Sequence, residues 1–185
     1  ERPNTPGIDS AVYGGAVRFC PICDGFEARD RRIGVLGGAD NAGKKAIFLR
    51  TYSRDVSLFP TGEKDVTPEM RESLEGAGIK LAGKPVRVEC RRNGVTIMLQ
   101  GGASMHLDVL YPALGSAVRS ELATALGADC SETGTLKVDD KQQTTVDGVY
   151  AAGDVVSDLH QLAVATGHAA IAATAIHSRL ERNLR

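Results

Sequence analysis

The sequence predicts an α/β fold in which a parallel sheet is followed by an antiparallel β-meander. An apolar run at residues 31–38, a segment with helical spacing at 40–53 and a second apolar run at 55–59 form a βαβ pattern. From Val86 the apolar period changes to two, and Asn93-Gly94 is a typical hairpin turn. The three meander strands are expected at residues 86–90 and 95–99 and at Met105, Leu107 and Val109.

The order of these segments predicts a domain junction near Leu114 to Ala117. Between the βαβ pattern and the meander, Thr67-Pro68 predicts a helix start, with a hydroxyl at the N-cap and proline in the first turn. After the junction we expect a short helix, an exposed strand, a buried strand and a long alanine-rich helix. The last three are placed at residues 135–140, 148–154 and 159–180.

Composition excludes several classes of protein. The chain of 185 residues is 42% hydrophobic and 24% charged, which is typical of a soluble globular protein. A net charge of −1 argues against nucleic acid as a partner, and the apolar runs are too short to predict a membrane span. Four cysteines are too few for a secreted disulfide scaffold, so we expect a cytoplasmic location.

The glycine-rich turn after the first strand, "GVLGGADNAGKKA", indicates nucleotide binding. In the dinucleotide pattern Gly-x-Gly-x-x-Gly/Ala, Gly37 takes the first place, Ala39 the second and Ala42 the third. The methyl group of Ala39 would stand where the pyrophosphate approaches the backbone. The candidate nucleotide-binding residues of this turn are Gly37, Gly38, Ala39, Asp40 and Ala42.

Two alternatives for this turn stay open. Gly38 with Gly43-Lys44 fits a P-loop, but Lys45 stands where the magnesium-binding hydroxyl should be, so the dinucleotide pattern is favoured. The turn could also bind nothing. The stretch after the second strand lacks arginine and places Glu63 late, which mildly disfavours NADPH and leaves the choice between NADPH and NADH open.

The pair Cys20 and Cys23 in "FCPICDGFE" has three interpretations. In an extended chain two residues three apart are ~10 Å from each other. Since a disulfide needs a closer approach of the two Cα atoms, the pair can close only on a tight turn or in the first turn of a helix. Pro21 suits that first turn, and Asp24 could exchange a proton with the thiols. Half of a zinc site and two idle thiols are the alternatives.

A metal site is not predicted, because no second pair of ligands accompanies the cysteines. Cys90 is expected in the core on the face of Val86 and Val88, and Cys130 has no assignment. His160 and His168 are expected on the terminal helix without metal-ligand partners.

Three stretches together resemble the low-molecular-weight thioredoxin reductases and their relatives, including the flavoprotein subunit of alkyl hydroperoxide reductase. These are "CPICDG", the turn "GVLGGADNA" and "GVYAAGDVVSDLHQLAVATGHAAIAA". The resemblance runs from the segment before Cys20 to the end of the chain. Either motif alone would be weak, whereas their order and spacing are specific.

The resemblance implies a disulfide oxidoreductase that uses FAD and NAD(P)H and reduces a thioredoxin-like or other protein disulfide, as a homodimer. Cys23 would face the flavin, Cys20 would attack the partner disulfide, and Asp24 would be the acid. On the flavin side, the resemblance assigns cofactor contacts to Gly153, Asp154, His160 and Gln161.

The resemblance also divides the chain into a linker and cysteine segment (1–30), a Rossmann-like nucleotide-binding domain with the meander (31–114) and the C-terminal part of a Rossmann-like FAD-binding domain (115–185). No glycine-rich FAD motif lies in residues 1–30, so we expect a fragment that binds FAD poorly by itself. Two other functions stay open: a redox- or nucleotide-responsive module without hydride transfer, and a flavin oxidoreductase acting on a small substrate.

Overall fold

The computed structural model describes residues 5–62 and 65–181, apart from the side chain of residue 39. The chain divides in sequence between Ser116 and Ala117 into two compact units, and each is described by itself. The strands are β1 (Ile33–Gly38), β2 (Val56–Thr61), β3 (Lys80–Leu81), β4 (Pro85–Arg91), β5 (Gly94–Leu99), β6 (Ser104–Leu107) and β7 (Val109–Ala113). The α-helices are α1 (Ile8–Tyr13), α2 (Pro21–Asp24), α3 (Ala39–Leu49), α4 (Pro68–Gly76), α5 (Glu121–Ala125) and α6 (Leu162–Arg179).

The first unit is built on a four-stranded parallel sheet with the strand order β3-β2-β1-β7. The strands β4, β5 and β6 form a separate antiparallel meander. The predicted α/β class with a Rossmann-like parallel sheet and a meander is therefore confirmed.

Two apolar clusters hold this unit together. One joins the sheet to α3 and α4, and it includes Ile33, Val35, Ala42, Leu49 and Tyr111. The other joins the sheet to α1 and the meander, and it includes Val17, Leu36, Phe59, Val95 and Ile97. Successive side chains of β1 point to opposite faces of the sheet, and both faces are covered. The strand is therefore a short, continuously apolar run rather than an alternation of apolar and polar residues.

Local signals place the helix after β2 correctly. The Thr67 hydroxyl accepts a hydrogen bond from the Met70 amide at 3.3 Å, and Pro68 opens α4. The helix ends at Gly76, and Gly78 follows it with φ 68°, a left-handed conformation typical of glycine after a helix.

Two expectations about the meander are wrong. Val109 does not extend its third strand but begins β7, opposite Ile33 in the parallel sheet. The chain changes sheets at Asp108, where the Arg32 amide donates to the Asp108 carboxylate, and the apolar alternation continues unbroken through that point.

Cys90 is not a core residue that shares a buried face with Val86. A register shift near Pro85 interrupts the alternation at the start of β4, so Val86 is 66% exposed and Cys90 is half-buried at the margin of the second cluster. The strand-face argument fails because it assumes regular pleating through the bulge.

The second unit has helices but no regular strands among its described residues. The exposed strand predicted at 135–140 and the buried one at 148–154 form isolated bridges instead, such as Val138 with Thr144 and Gln143 with Tyr150. A buried strand needs a neighbour along most of its length, and the described residues of this unit supply none. The long helix predicted near residues 159–180 is α6.

In the part of the chain that the structure describes, no helix has both the length and the apolar character to cross a membrane.

Candidate functional site

Cys20 and Cys23 form a disulfide with their Cα atoms 5.3 Å apart. Cys20 is the N-cap of the four-residue helix α2, and the Cys23 amide donates to the Cys20 carbonyl at 3.0 Å. The prediction that the pair closes in the first turn of a helix is confirmed. The apolar side chains of Ile22 and Phe26 next to the disulfide are 66% and 63% exposed.

Two cationic side chains hold the segment that carries the disulfide in place. The Arg18 guanidinium donates to the Asp24 carbonyl at 2.7 Å and to the Gly15 carbonyl at 2.9 Å. The Lys45 ammonium donates to the carbonyls of Phe19 and Pro112 at 3.3 and 3.0 Å, and burial lowers the pKa of Lys45. The position of the disulfide therefore depends on α3 and on the end of β7.

Gly25 allows the chain to turn directly after the disulfide segment. A Cβ atom at this position would collide with the Pro21 carbonyl and with the ring of Tyr52. Only glycine therefore fits between this short helix and the aromatic ring.

A tyrosine of the central sheet reaches the acid beside the disulfide. The Tyr111 hydroxyl donates to Asp24 Oδ1 at 2.8 Å and lies 3.2 Å from the Asp24 carbonyl oxygen. Tyr111 is fully buried. Burial first, and the Asp24 carboxylate second, raise the pKa of Tyr111 well above its ordinary value, so the phenol keeps its proton and acts as a donor.

The glycine-rich turn joins β1 directly to α3. A Cβ atom on Gly37 would collide with the Ala113 carbonyl, whereas one on Gly38 would meet nothing within 4 Å. Ala42 is fully buried, so a small residue at the third place of the motif lets α3 approach the sheet. Residues 39–43 are already helical, which contradicts the P-loop alternative because that loop must wrap around a phosphate before its helix begins.

Among the other residues of the predicted nucleotide site, Asp40 is hydrogen-bonded to Thr67, and two more lie outside the described residues. Both carboxylate oxygens of Asp40 accept hydrogen bonds from Thr67, one from its amide and one from its hydroxyl, each at 3.1 Å. Glu63 and the methyl group of Ala39 lie outside the described part of the chain.

A cleft of about 320 Å³ opens at the carboxyl ends of β2 and β3. Its lining contains one acid, Asp65, and two cationic residues, Arg71 and Lys84. Ligands of open parallel sheets bind at this edge, so the cleft is a second candidate element of the predicted nucleotide site. Sequence reasoning missed Arg71 and Lys84 because it searched only the residues directly after the second strand.

In the second unit, the predicted flavin contacts follow residue 150. Gly153 is buried with φ 83°, and a Cβ atom there would stand 3.3 Å from that of Ala165 in α6. Asp154 is exposed, and no described residue hydrogen-bonds its carboxylate. His160 is exposed and Gln161 is the N-cap of α6.

Among the described residues, no group of three or more His, Cys, Asp or Glu side chains is arranged to hold a metal ion. Cys20 and Cys23 are joined to each other, while Cys90 and Cys130 are free thiols.

Sequence reasoning also missed Arg18, Lys45 and Tyr111. Arg18 and Lys45 are charged residues of the kind that a sequence predicts to face solvent, so nothing in their surroundings indicates that they bind backbone carbonyls. Tyr111 lies in an apolar strand, where its hydroxyl was the single hint, since a buried tyrosine needs a hydrogen-bond partner.

Comparison with known proteins identifies the family of this chain. The family model described as pyridine nucleotide-disulphide oxidoreductase matches residues 1–173. The chain belongs to this family. The description of the family refers to a disulphide, and this chain has one between Cys20 and Cys23.

Individual members of the family support this membership. The chain is 31% identical to a thioredoxin reductase of Mycolicibacterium smegmatis, over 91% of this chain and 57% of that protein. It is 29% identical to an alkyl hydroperoxide reductase subunit of Xanthomonas campestris pv. phaseoli, over 97% of this chain and 36% of that protein. The chain thus spans little more than half the length of the first relative.

A solved structure of a thioredoxin reductase is also similar to this chain. The atypical thioredoxin reductase TRi of Desulfovibrio vulgaris Hildenborough is 32% identical, with a TM-score of 0.56, over 96% of this chain and 60% of that one. The resemblance to thioredoxin reductases drawn from the motifs is therefore confirmed.

Proposed function

We propose that this chain is the disulfide-bearing part of a thioredoxin-reductase-like flavoprotein, which passes electrons from NAD(P)H through FAD to Cys20 and Cys23 and on to a protein disulfide. The observation that carries the proposal is the closed Cys20–Cys23 disulfide, which lies 10 residues ahead of a dinucleotide-type strand and helix when counted from Cys23 to Ile33. Thioredoxin reductases of this family depend on FAD and use NAD(P)H, which supports the cofactor assignment.

Each residue of the disulfide segment has a proposed role. Cys23 is the sulfur that receives electrons, and Cys20 is the sulfur that attacks the disulfide of the partner. Asp24 holds and returns the proton that thiol–disulfide exchange requires. The exposed Ile22 and Phe26 leave apolar surface beside the disulfide, which suits contact with a protein rather than with a small polar substrate.

Features of both candidate cofactor sites support the proposed cofactors. Gly38 leaves open space at the start of the 11-residue helix α3, so backbone amides there can approach a pyrophosphate. In the second unit, no described residue hydrogen-bonds the Asp154 carboxylate, which suits it to the hydroxyl groups of FAD, and Gly153, His160 and Gln161 complete the proposed FAD contacts. Bound FAD would supply the two-electron relay between the nicotinamide and the disulfide.

The test is a count of thiols in the intact holoprotein under anaerobic conditions. We expect NADH or NADPH to bleach the flavin absorbance and to produce two new thiols per chain. Cys23→Ser should abolish the nucleotide-dependent thiols. Cys90→Ser should leave them unchanged, because Cys90 is a free cysteine in β4.

Three outcomes would contradict parts of the proposal. If the flavin stays oxidised with both nucleotides, the proposed hydride transfer is contradicted, and a redox- or nucleotide-responsive module is favoured instead. Unchanged turnover of the native acceptor in Cys23→Ser favours a small-substrate oxidoreductase. If the protein is purified without flavin and binds none on reconstitution, the assignment of FAD as the cofactor is contradicted.

The choice of hydride donor is tested at the cleft at the carboxyl ends of β2 and β3. Arg71 and Lys84 could pair with a 2′-phosphate, and Asp65 with free ribose hydroxyls. If NADPH is the donor, Arg71→Gln with Lys84→Gln should raise the KM for NADPH roughly tenfold and leave the KM for NADH nearly unchanged. If NADH is the donor, Asp65→Asn should raise its KM instead.

The proposal extends to partners and location. We infer a thioredoxin-like partner and a homodimer, in keeping with the thioredoxin reductases of the family. Light scattering of the holoprotein tests the homodimer. A reducing compartment such as the cytoplasm suits the two free thiols of Cys90 and Cys130.

A further inference from the structure

The hydrogen bond between Tyr111 and Asp24 joins residues that are 87 positions apart. Tyr111 lies in β7, whose backbone pairs with β1 in the parallel sheet, so its ring is fixed by the most buried part of the first unit. Asp24 is the last residue of α2 and follows Cys23 directly. The bond therefore fixes the carboxylate of the residue that follows Cys23 to a buried strand of the sheet.

This bond orients one particular oxygen of the carboxylate. Tyr111 donates to Asp24 Oδ1, and no other described side chain donates to this carboxylate. The second oxygen thus stays available for proton exchange. A carboxylate held at one oxygen loses rotational freedom, and fixed geometry is what makes a nearby acid–base group efficient.

The backbone of the disulfide segment has fastenings that do not need this bond. Arg18 holds the Asp24 carbonyl at 2.7 Å, and Lys45 holds the Phe19 carbonyl at 3.3 Å. Removing the Tyr111 hydroxyl would consequently release the Asp24 side chain while the segment keeps its place. Because Arg18 and Lys45 already hold the segment, the Tyr111 hydroxyl is not needed merely to anchor it.

We propose that Tyr111 is a positioning residue for thiol–disulfide exchange, which holds Asp24 in the orientation from which it passes a proton to the departing thiolate. The inference rests on the proposed role of Asp24 as the acid–base group of the pair. Tyr111 itself keeps its proton throughout.

The exchange balances with Asp24 as the carrier. The Cys20 thiol gives its proton to the Asp24 carboxylate and its sulfur attacks the disulfide of the acceptor, which forms a mixed disulfide and releases one thiolate. Asp24 returns the proton to that thiolate. Cys23 then loses its proton and attacks Cys20, the Cys20–Cys23 bond forms, and the second thiolate leaves with that proton. The pair loses two electrons, and the acceptor gains two electrons and two protons.

The experiment measures this exchange without nicotinamide, so that it does not depend on the hydride donor. The pair in the intact holoprotein is reduced with a phosphine, the phosphine is removed, and the rate of disulfide closure is measured with two acceptors. Hydroxyethyl disulfide releases a basic thiolate that needs a proton, whereas 5,5′-dithiobis(2-nitrobenzoate) releases a stabilised thiolate that does not.

We expect Tyr111→Phe to slow the reaction with hydroxyethyl disulfide roughly three- to tenfold, the effect of one lost hydrogen bond to a carboxylate. The reaction with the nitrobenzoate reagent should change much less. Asp24→Asn should slow the first reaction at least as much, and Tyr111→Phe added to Asp24→Asn should cause no further loss, because Tyr111 acts through Asp24.

The matched control is Tyr52→Phe. Tyr52 also contacts the disulfide segment, through the ring carbons near Gly25, but its hydroxyl has no hydrogen-bond partner among the described residues. We expect this variant to react like the wild type with both acceptors.

Three results would overturn the inference: equal slowing of both acceptors by Tyr111→Phe, an additive loss in the double variant, or wild-type rates in Tyr111→Phe. Failure of the proposed function is seen separately. In that case the nucleotide leaves the pair oxidised in the wild type, whatever the rates of chemical exchange are.

Discussion

The first unit, up to Ser116, forms a parallel sheet and a meander with two apolar clusters, whereas the described part of the second unit has isolated bridges and helices. The first unit buries large side chains such as Ile33, Phe59 and Tyr111 completely. In the second, the buried apolar side chains among the described residues are Ala128, Leu136 and Ala172. Among the described residues, the larger apolar core therefore lies in the first unit.

The helix α6 illustrates the difference. It is apolar over most of its surface, yet Leu162 is 83% exposed and Ile171 is 43% exposed. By contrast, α3 buries Ala42, Ala46 and Leu49 completely against the sheet. Apolar sequence alone therefore does not predict burial, since burial also needs a surface to pack against.

The largest expected effect tests the close packing of the first unit. Gly37→Ala should lower the free energy of unfolding by about 3 kcal/mol, because the new Cβ atom collides with the Ala113 carbonyl of β7. Gly38→Ala, where the space is open, should change it by less than about 0.5 kcal/mol. Urea denaturation of both variants measures the difference, and equal stabilities would contradict the packing described for β1 and β7.

Hydrogen exchange should separate the two units. We expect the amides of β1 and β2 to exchange roughly a hundredfold more slowly than those of residues 135–152, which have only isolated bridges. Mass spectrometry of peptides from the exchanged protein gives both rates. Similar protection in the two regions would mean that the second unit is as stable as the first.

Two glycines of the second unit should respond in opposite directions. Gly153→Ala should cost about 1–2 kcal/mol, because Gly153 has φ 83° and faces Ala165 closely. Gly167→Ala, inside α6 with open space around it, should instead stabilise the helix by about 0.5–1 kcal/mol. Exchange rates of the α6 amides measure both changes, and a shift in the same direction in both variants would contradict this description.

The smallest expected effect concerns one ion pair in each unit. A side-chain hydrogen bond from Arg32 is the main cause that lowers the pKa of Asp108 to about 2. Because the folded pKa lies below the unfolded one, this stabilisation is complete above about pH 4 and is lost as the pH falls toward 2. Asp108→Asn should cost about 1 kcal/mol at neutral pH after allowance for solvent screening.

The control for this ion pair is Asp147→Asn in the second unit. The Asp147 side chain is 81% exposed beside Arg179, so we expect no measurable change in stability at any pH. Denaturation should be measured from pH 2 to 7. The difference in free energy of unfolding between wild type and Asp108→Asn should disappear at low pH, and Asp147→Asn should show no difference at any pH. A constant difference for Asp108 would contradict the assigned pKa.

Local patterns predicted the elements whose formation is local. Thr67-Pro68 marks the start of α4, and the spacing of Cys20 and Cys23 with Pro21 places the disulfide on a helical turn. The hairpin predicted at Asn93-Gly94 turns one residue earlier, because Arg92 and Asn93 lie between the strands and Gly94 pairs with Arg91. Each of these depends on residues that are close in sequence. Side-chain size and turn chemistry are therefore enough to predict them.

Expectations failed where the partner is distant. The alternation that includes Val109 does not reveal that the chain has moved from one sheet to the other, and the bulge near Pro85 is invisible in the pattern of β4. The predicted strand at 148–154 depends on neighbours rather than on its own apolar residues. In the site, Asp24 was predicted from its place beside Cys23, whereas Tyr111 could not be, because 87 positions separate it from Asp24.

The lack of space at Gly25 has a consequence for how this protein tolerates sequence variation. In a library of variants selected for an intact turn, position 25 should return glycine alone, since any side chain meets Pro21 and Tyr52. Its neighbours Ile22 and Phe26 point outward and can diversify freely. Descendants of this chain can thus change the apolar surface next to the disulfide while the bend after it stays the same.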